Sequence, residues 1–184
     1  MNKFKKRIVF AGLMFAALGG AWYYTSHVHK PIYDFEFAHD INAVLSMFKE
    51  DWYWLDASRD EFESDYVTYK FKNKNPHLNP LTAGSMRIKV VREHDQTVGF
   101  ITYHKEGADA GRILYLEVQK DFRRKQYGKM LVRHAMDDLI AMGSKKIRLV
   151  TRTDNLAAQK LYKSVGFVET SRSDGFVSFE YIVK

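Results

Sequence analysis

The chain has 184 residues, no cysteine, and 29 Lys and Arg against 22 Asp and Glu, a formal net charge of +7. Without cysteine there is no disulfide framework, no thiol nucleophile and no Cys-based zinc site, and the seven histidines show no metal-ligand spacing. Beyond a short N-terminal segment, the length suits a single domain with a substantial core.

The first residues carry Lys3, Lys5, Lys6 and Arg7, and the run Ile8–Tyr24 that follows holds no charge. A basic flank before an apolar stretch is a membrane-targeting pattern. The run is marginal against the roughly 20 residues of a full span. Three readings stand: an uncleaved signal-anchor, a signal peptide cleaved near Ala21, or a misplaced start. Trp22, Tyr23 and Tyr24 resemble an interfacial aromatic belt, which favours the anchor and makes residues 8–24 the expected membrane contact. Residues 1–30 are thus set apart from a domain of residues 31–184. Four positive charges ahead of the run would export that domain, so the side of the membrane it occupies is left open.

From Ile32 to Ala38 apolar and polar residues alternate, the period of a first strand. Asp40 then stands where it can cap a helix with Ile41, Val44, Leu45 and Phe48 on one face. Asp51–Asp56 is aromatic, and Trp52, Tyr53 and Trp54 are candidates to line a pocket or to fill the core. Residues 61–69 suggest a short helix, and Lys70–Ala83, with Pro76 and Pro80, a loop. Met86–Arg92 and Thr97–His104 pair as a hairpin about His94-Asp95-Gln96, and Arg112–Val118 follows a second turn.

The next segment is the most informative. An apolar strand, Ile113–Val118, runs through Arg123-Arg124-Lys125-Gln126-Tyr127-Gly128 straight into a helix of about Gln126–Met142, apolar at 127, 131, 135 and 139. A helix start presents unpaired N–H groups and the positive end of a dipole, which together attract phosphate. Arg and Lys beside those amides add charge-assisted hydrogen bonds. A strand Lys146–Thr151, a helix opened by Asp154 and running to about Val165, and a pair of strands, Phe167–Thr170 and Phe176–Val183, complete the chain. Strands first and then strand–helix–strand–helix imply an α/β fold with a mixed, mostly antiparallel sheet of six or seven strands and flanking helices.

Two motifs in this segment resemble the GNAT superfamily of N-acetyltransferases, which use acetyl-coenzyme A. The cofactor motif of that family is roughly Val-x-x-x-x-Arg/Gln-x-x-Gly-x-Gly/Ala. Val118, Arg123 and Gly128 match three of its positions, and Gln126 replaces its first glycine. The second motif is Asn155-x-x-Ala158-x-x-Leu161-Tyr162-x-x-x-Gly166-Phe167. The resemblance covers residues 32–184 and is strongest from 113 to 170.

The resemblance implies acetyl-coenzyme A as co-substrate, no metal, and a splayed strand whose amides at Leu116, Glu117 and Val118 hold the pantetheine arm. It further implies a pyrophosphate wrapped by the loop Arg123–Lys129 (Arg123, Arg124, Lys125, Gln126, Tyr127, Gly128, Lys129), with Arg123 and Arg124 supplying charge. Gln126 is tolerated there if its dihedrals are ordinary helical ones, the expectation adopted. Asn155 is expected to cap the next helix and touch the cofactor, and Tyr162 to hand a proton to the leaving thiolate. The base is open between Glu117, His104 and a water chain.

Charge is uneven along the chain: residues 31–65 hold ten acids and two bases, and residues 112–163 thirteen bases and five acids. A basic half suits coenzyme A phosphates and an acidic half suits a cationic amine acceptor. A catalytically silent coenzyme A-binding module is the alternative function. A nucleic-acid binder ranks last, since the bases gather at the loop and no nucleic-acid motif is present.

Overall fold

The computed structural model describes residues 32–56 and 60–184. The membrane reading of residues 8–24 lies outside them; among the described residues no helix is long and apolar enough to cross a membrane. Seven strands of the described residues form one sheet in the order β1-β2-β3-β4-β5-β7-β6. They are β1 Ile32–Asp34, β2 Arg87–Glu93, β3 Gln96–Glu106, β4 Ala110–Val118, β5 Lys146–Arg152, β6 Val168–Ser173 and β7 Phe176–Ile182. Every neighbouring pair is antiparallel except β4 and β5, which run parallel. The α/β class with a mixed, mostly antiparallel sheet is as expected.

Among the described residues four α-helices cover the sheet: α1 Phe37–Leu55, α2 Ser64–Lys72, α3 Tyr127–Ala141 and α4 Leu156–Ser164. Val44, Phe48 and Trp52 of α1, with Val67 and Phe71 of α2, pack on Phe100 and Tyr115 to build one core. Leu131, Ala135 and Leu139 of α3, with Tyr162 of α4, pack on Ile101, Tyr103 and Ile113 to build the other. Adjacent residues of β3 therefore serve opposite cores, the period-two rule of a sheet covered on both faces.

The start of α1 corrects two expectations. Strand β1 ends at Asp34 rather than running on to Ala38, and Glu36, not Asp40, is the N-cap residue. Asp40 sits within the first turn and reaches back, its Oδ2 accepting the Glu36 N–H at 2.7 Å. The fully buried carboxylate also accepts from Arg92 Nε at 3.1 Å and Thr97 Oγ1 at 2.5 Å, tying α1 to β2 and β3. Burial works against this charge, but Arg92, Thr97 and the Glu36 amide overcome it and hold the Asp40 carboxyl below its ordinary range.

Helix α2 also departs from expectation. It spans Ser64–Lys72 instead of residues 61–69, so Lys70 is helical and buried, not in a loop. Its Nζ donates to Tyr115 Oη at 2.5 Å and Tyr66 Oη at 3.1 Å, and both hydroxyls donate to Asp56 Oδ2. This polar pillar joins the end of α1, helix α2 and strand β4, and it satisfies a lysine that burial would otherwise penalise.

Candidate functional site

Strands β4 and β5 part company early. Their ladder consists of Ala110 with Lys146, Gly111 with Ile147 and Arg112 with Arg148, after which neither strand pairs with the other. The divergence begins beside a β-bulge. Thr102 pairs with Tyr115 and Tyr103 with Ile113, leaving Leu114 as the extra residue. A bulge bends its strand and re-aims the side chains beyond it.

The edge of β4 beyond the bulge faces the resulting opening. The amide of Tyr115 donates to Thr102 Oγ1 at 3.1 Å and that of Gln119 to Val98 O at 2.9 Å, both towards β3. Strand alternation turns the amides of Leu116 and Val118 the other way, into the opening. Glu117, in register with Phe100, has its own amide on the β3 side.

At the far end the chain turns into α3 with a fan of free donors. The amides of Arg124, Lys125, Gln126, Gly128 and Lys129 have no hydrogen-bond partner among the described residues, and the first helical bond runs from Met130 N–H to Gln126 O. Arg124 and Gln126 both lie in the left-handed region, with φ of 66° and 70°. That corrects the expectation of helical dihedrals at Gln126. Left-handed residues in such a turn aim neighbouring N–H groups to one side, which makes an anion-binding concavity. The strain falls on a residue with a Cβ and no capping bond of its own.

The loop side chains divide into distinct jobs. Tyr127 is buried and donates its hydroxyl to Glu93, so it anchors α3 from beneath and offers the site only backbone. Lys125 lies over the Phe122 ring, 3.9 Å from Glu93. Arg124 and Lys129 make no ion pair among the described residues. Gly128 is a close-approach position, where a Cβ would meet Leu161 Cδ2 at 3.3 Å.

Arg123, expected to bring charge to a pyrophosphate, turns back instead. Its Nε donates to Val118 O at 2.8 Å, and one terminal nitrogen to Asp51 at 2.6 Å and Glu117 at 2.9 Å. Asp51 is the one non-helical residue inside α1, so this guanidinium holds a kink, a strand edge and the loop together. Glu117 Oε1 also accepts the Val118 N–H at 2.8 Å. Burial raises the Glu117 carboxyl above its ordinary pKa, against the opposing pull of the Val118 amide and Arg123.

Tyr162 projects from α4 beside Phe167 and Phe179, with centroids 6.1 and 6.0 Å away. Its hydroxyl makes no hydrogen bond among the described residues, yet it is not sealed from solvent. Burial first, and the charge of Glu117 second, push its pKa up, so the phenol holds its proton. Helix α4 is fixed by Asn155, whose Oδ1 accepts the Ala158 N–H at 3.1 Å, and by Gln159, which bonds Arg152 O and Thr153 O. Asn155 is thus the cap, as expected, and Asp154, read as opening the helix, accepts the Tyr53 hydroxyl at 2.9 Å.

His104 is not brought to the opening. It pairs with Arg112, whereas Glu117 pairs with Phe100, a separation of about 13 Å along β3. Its ring lies edge-on to His77 with centroids 4.9 Å apart, and burial lowers its pKa.

A cavity of about 150 Å³ occupies the mouth between the diverging strands. Strand β4 contributes Leu114, β5 contributes Val150, Thr151 and Arg152, β7 contributes Phe176, and the end of α1 adds Trp54 and Leu55. Of the three aromatics singled out in the sequence, only Trp54 lines it. Trp52 is core, and Tyr53 lies against Arg152, 3.9 Å from guanidinium carbon to ring centre. Arg152 and Phe176 carry no motif, and nothing local in the sequence marks them; they meet here only because β5 pairs with β7, Arg152 opposite Phe176.

The family model described as "Acetyltransferase (GNAT) family" matches residues 41–167. A curated relative, the [ribosomal protein bS18]-alanine N-acetyltransferase of Salmonella typhimurium, is 36% identical over 63 residues, 34% of this chain and 43% of the relative. The match thus spans under half of that relative's length. Among solved structures, Ard1 from Thermoplasma volcanium superposes with a TM-score of 0.62 at 24% identity, covering 84% of this chain and 97% of that one. The PaiA N-acetyltransferase of Thermoplasma acidophilum, solved with coenzyme A, gives 0.63 at 16% identity over 83% and 98%. At these identities the two structures establish the shared fold.

Proposed function

The chain belongs to the acetyltransferase (GNAT) family, and from that premise we propose that it transfers an acetyl group from acetyl-coenzyme A directly to a primary amine. The observation that carries this reading is the β4–β5 opening, which joins the free amides of the Arg124–Lys129 loop to the edge of Leu116. Those amides hold the pyrophosphate, and Arg124, Lys125 and Lys129 add charge at the loop surface. The Leu116 amide pairs with the pantetheine arm as with an added strand. Val118 joins it once the Glu117 carboxylate lets go of its N–H.

The chemistry follows from placement. The amine nitrogen attacks the thioester carbonyl, the C–N bond forms and the C–S bond breaks. Tyr162, protonated and with its hydroxyl uncommitted, gives its proton to the departing sulfur. The proton shed by nitrogen restores the phenol, passing through water or through Glu117, whose raised pKa suits a transient acceptor. The curated relative acts on an alanine of a ribosomal protein, so a free α-amino group is the first acceptor to try.

Two measurements test the proposal. Acetyl-coenzyme A at a hundred times its Kd should stabilise the protein by about 2.7 kcal/mol, read as a rise in Tm. Free thiol should appear only when an amine is added. Binding without thiol release from any amine would make the protein a silent coenzyme A-binding module. No melting shift at millimolar acetyl-coenzyme A would overturn the reading altogether.

A further inference from the structure

The charge of the acceptor can be read from the cavity wall. Among the described residues Arg152 is the only charged one lining it, beside apolar Leu114, Val150 and Phe176. Its Nε donates to the backbone carbonyl of Tyr53, and its guanidinium carbon lies 3.9 Å from the Tyr53 ring centre and 5.2 Å from that of Phe176. These contacts fix the plane of the group and leave both terminal nitrogens with no acceptor among the described residues. The nearest carboxylate in sequence, Asp154, is bonded to the Tyr53 hydroxyl. A fixed guanidinium with two free nitrogens at an apolar wall is built to take a planar anion by paired hydrogen bonds.

The acidic stretch that suggested a cationic acceptor does not contribute to this wall. Asp34 pairs with Lys89, Glu36 and Asp40 with Arg92, and Asp51 with Arg123. Asp56 takes the hydroxyls of Tyr66 and Tyr115. Among the described residues lining the cavity, an ammonium entering with no anion of its own would meet one charge, that of Arg152, and like charges repel.

Resting on the acetyl-transfer reading, we propose that Arg152 selects the acceptor, and that this is a small amino acid bearing a free carboxylate and an apolar side chain. The carboxylate binds Arg152, the side chain packs on Phe176 and Trp54, and the amine is left towards the β4 edge, where the thioester lies. A second positive charge on the acceptor would be disfavoured.

Matched pairs test this with the full-length protein, acetyl-coenzyme A and a thiol-release assay: phenylalanine against phenethylamine, leucine against isoamylamine, and tyrosine against tyramine. The amino acid of each pair should be used with a kcat/KM at least about tenfold higher, the scale of one charge-assisted hydrogen-bonded contact. Arg152→Gln should bring that ratio close to one by raising KM for the amino acids, and Arg152→Lys should retain part of it. An unchanged Kd for acetyl-coenzyme A certifies that each variant is folded. Equal use of both members of each pair would overturn the proposal, as would a ratio that survives Arg152→Gln, or turnover of peptides with blocked C-termini alone. These three results would leave acetyl transfer standing; thiol release from no acceptor would remove both.

Discussion

Glu117 caps the backbone N–H of its own neighbour, Val118, with Oε1 at 2.8 Å. That amide is one of two that β4 turns into the opening, so a side chain stands where a pantetheine carbonyl would bond. Donor binding and the Glu117 carboxylate therefore compete for one hydrogen. Glu117→Ala should free the amide but strip Arg123 of a partner, whereas Glu117→Gln keeps an acceptor and removes the charge. If Glu117 relays the amine proton, Glu117→Gln should lower kcat about 10²-fold and abolish the acidic limb of its pH profile. An unaltered profile would assign the proton to water.

Gln126→Gly should stabilise the protein. With φ at 70° and no capping bond, the glutamine bears left-handed strain of about 1 kcal/mol that glycine avoids. The backbone amides keep their places, so the Kd for acetyl-coenzyme A should hold or tighten. A lower Tm, or weaker binding, would show that the glutamine side chain has a task of its own.

Tyr162→Phe separates chemistry from packing cleanly. The hydroxyl makes no hydrogen bond among the described residues, so its loss should barely move Tm. The ring still packs on Phe167 and Phe179, and kcat should fall by about 10²- to 10⁴-fold with the Kd for acetyl-coenzyme A retained. Full activity would make Tyr162 a packing residue.

Asp40 should contribute to acid unfolding. Its pKa is held below the unfolded value of about 3.9, so the stability it lends is complete above that value and lost as pH falls through the folded pKa. Asp40→Ala leaves Arg92 only the exposed Glu36 and takes the acceptor from Thr97, and should cost about 3–5 kcal/mol at neutral pH. The acid limb of the stability curve should flatten in the variant. An equally steep limb would place the titration elsewhere.

A protein starting at Ile32, where β1 begins, should bind acetyl-coenzyme A like the full chain. The uncharged run at residues 8–24 should send full-length protein to the membrane fraction and keep it there in high salt. Uncleaved protein in the soluble fraction would refute a tether.

What could be read in advance follows how local each feature is. The basic loop entering α3 and the Asn155–Phe167 segment are continuous in sequence, and their periodicity and caps place them. The bulge at Leu114 is hidden, because Ile113–Val118 reads as an unbroken apolar strand whichever residue is extra. The role of Arg123 depends on Asp51, which is 72 positions away, and no local pattern joins them. Phe35 and Phe37 continue the alternation of β1 into a helix start that Asp40 decides by reaching backwards. Left-handed backbone at Gln126 is illegible in the sequence, because its residue type argues against it.

The β4–β5 ladder also has a mechanical meaning. Its short run of parallel pairing is the seam between two half-sheets, β1–β4 and β5–β7, each knit internally by antiparallel ladders that are longer than the seam everywhere but at the edge strand β1. A seam so brief is where the two halves should part under load or thermal agitation. Acetyl-coenzyme A, lying along the β4 edge, would act as a removable stitch across it. In the bare protein the two halves should exchange their amide hydrogens at different rates, and with the donor bound those rates should draw together.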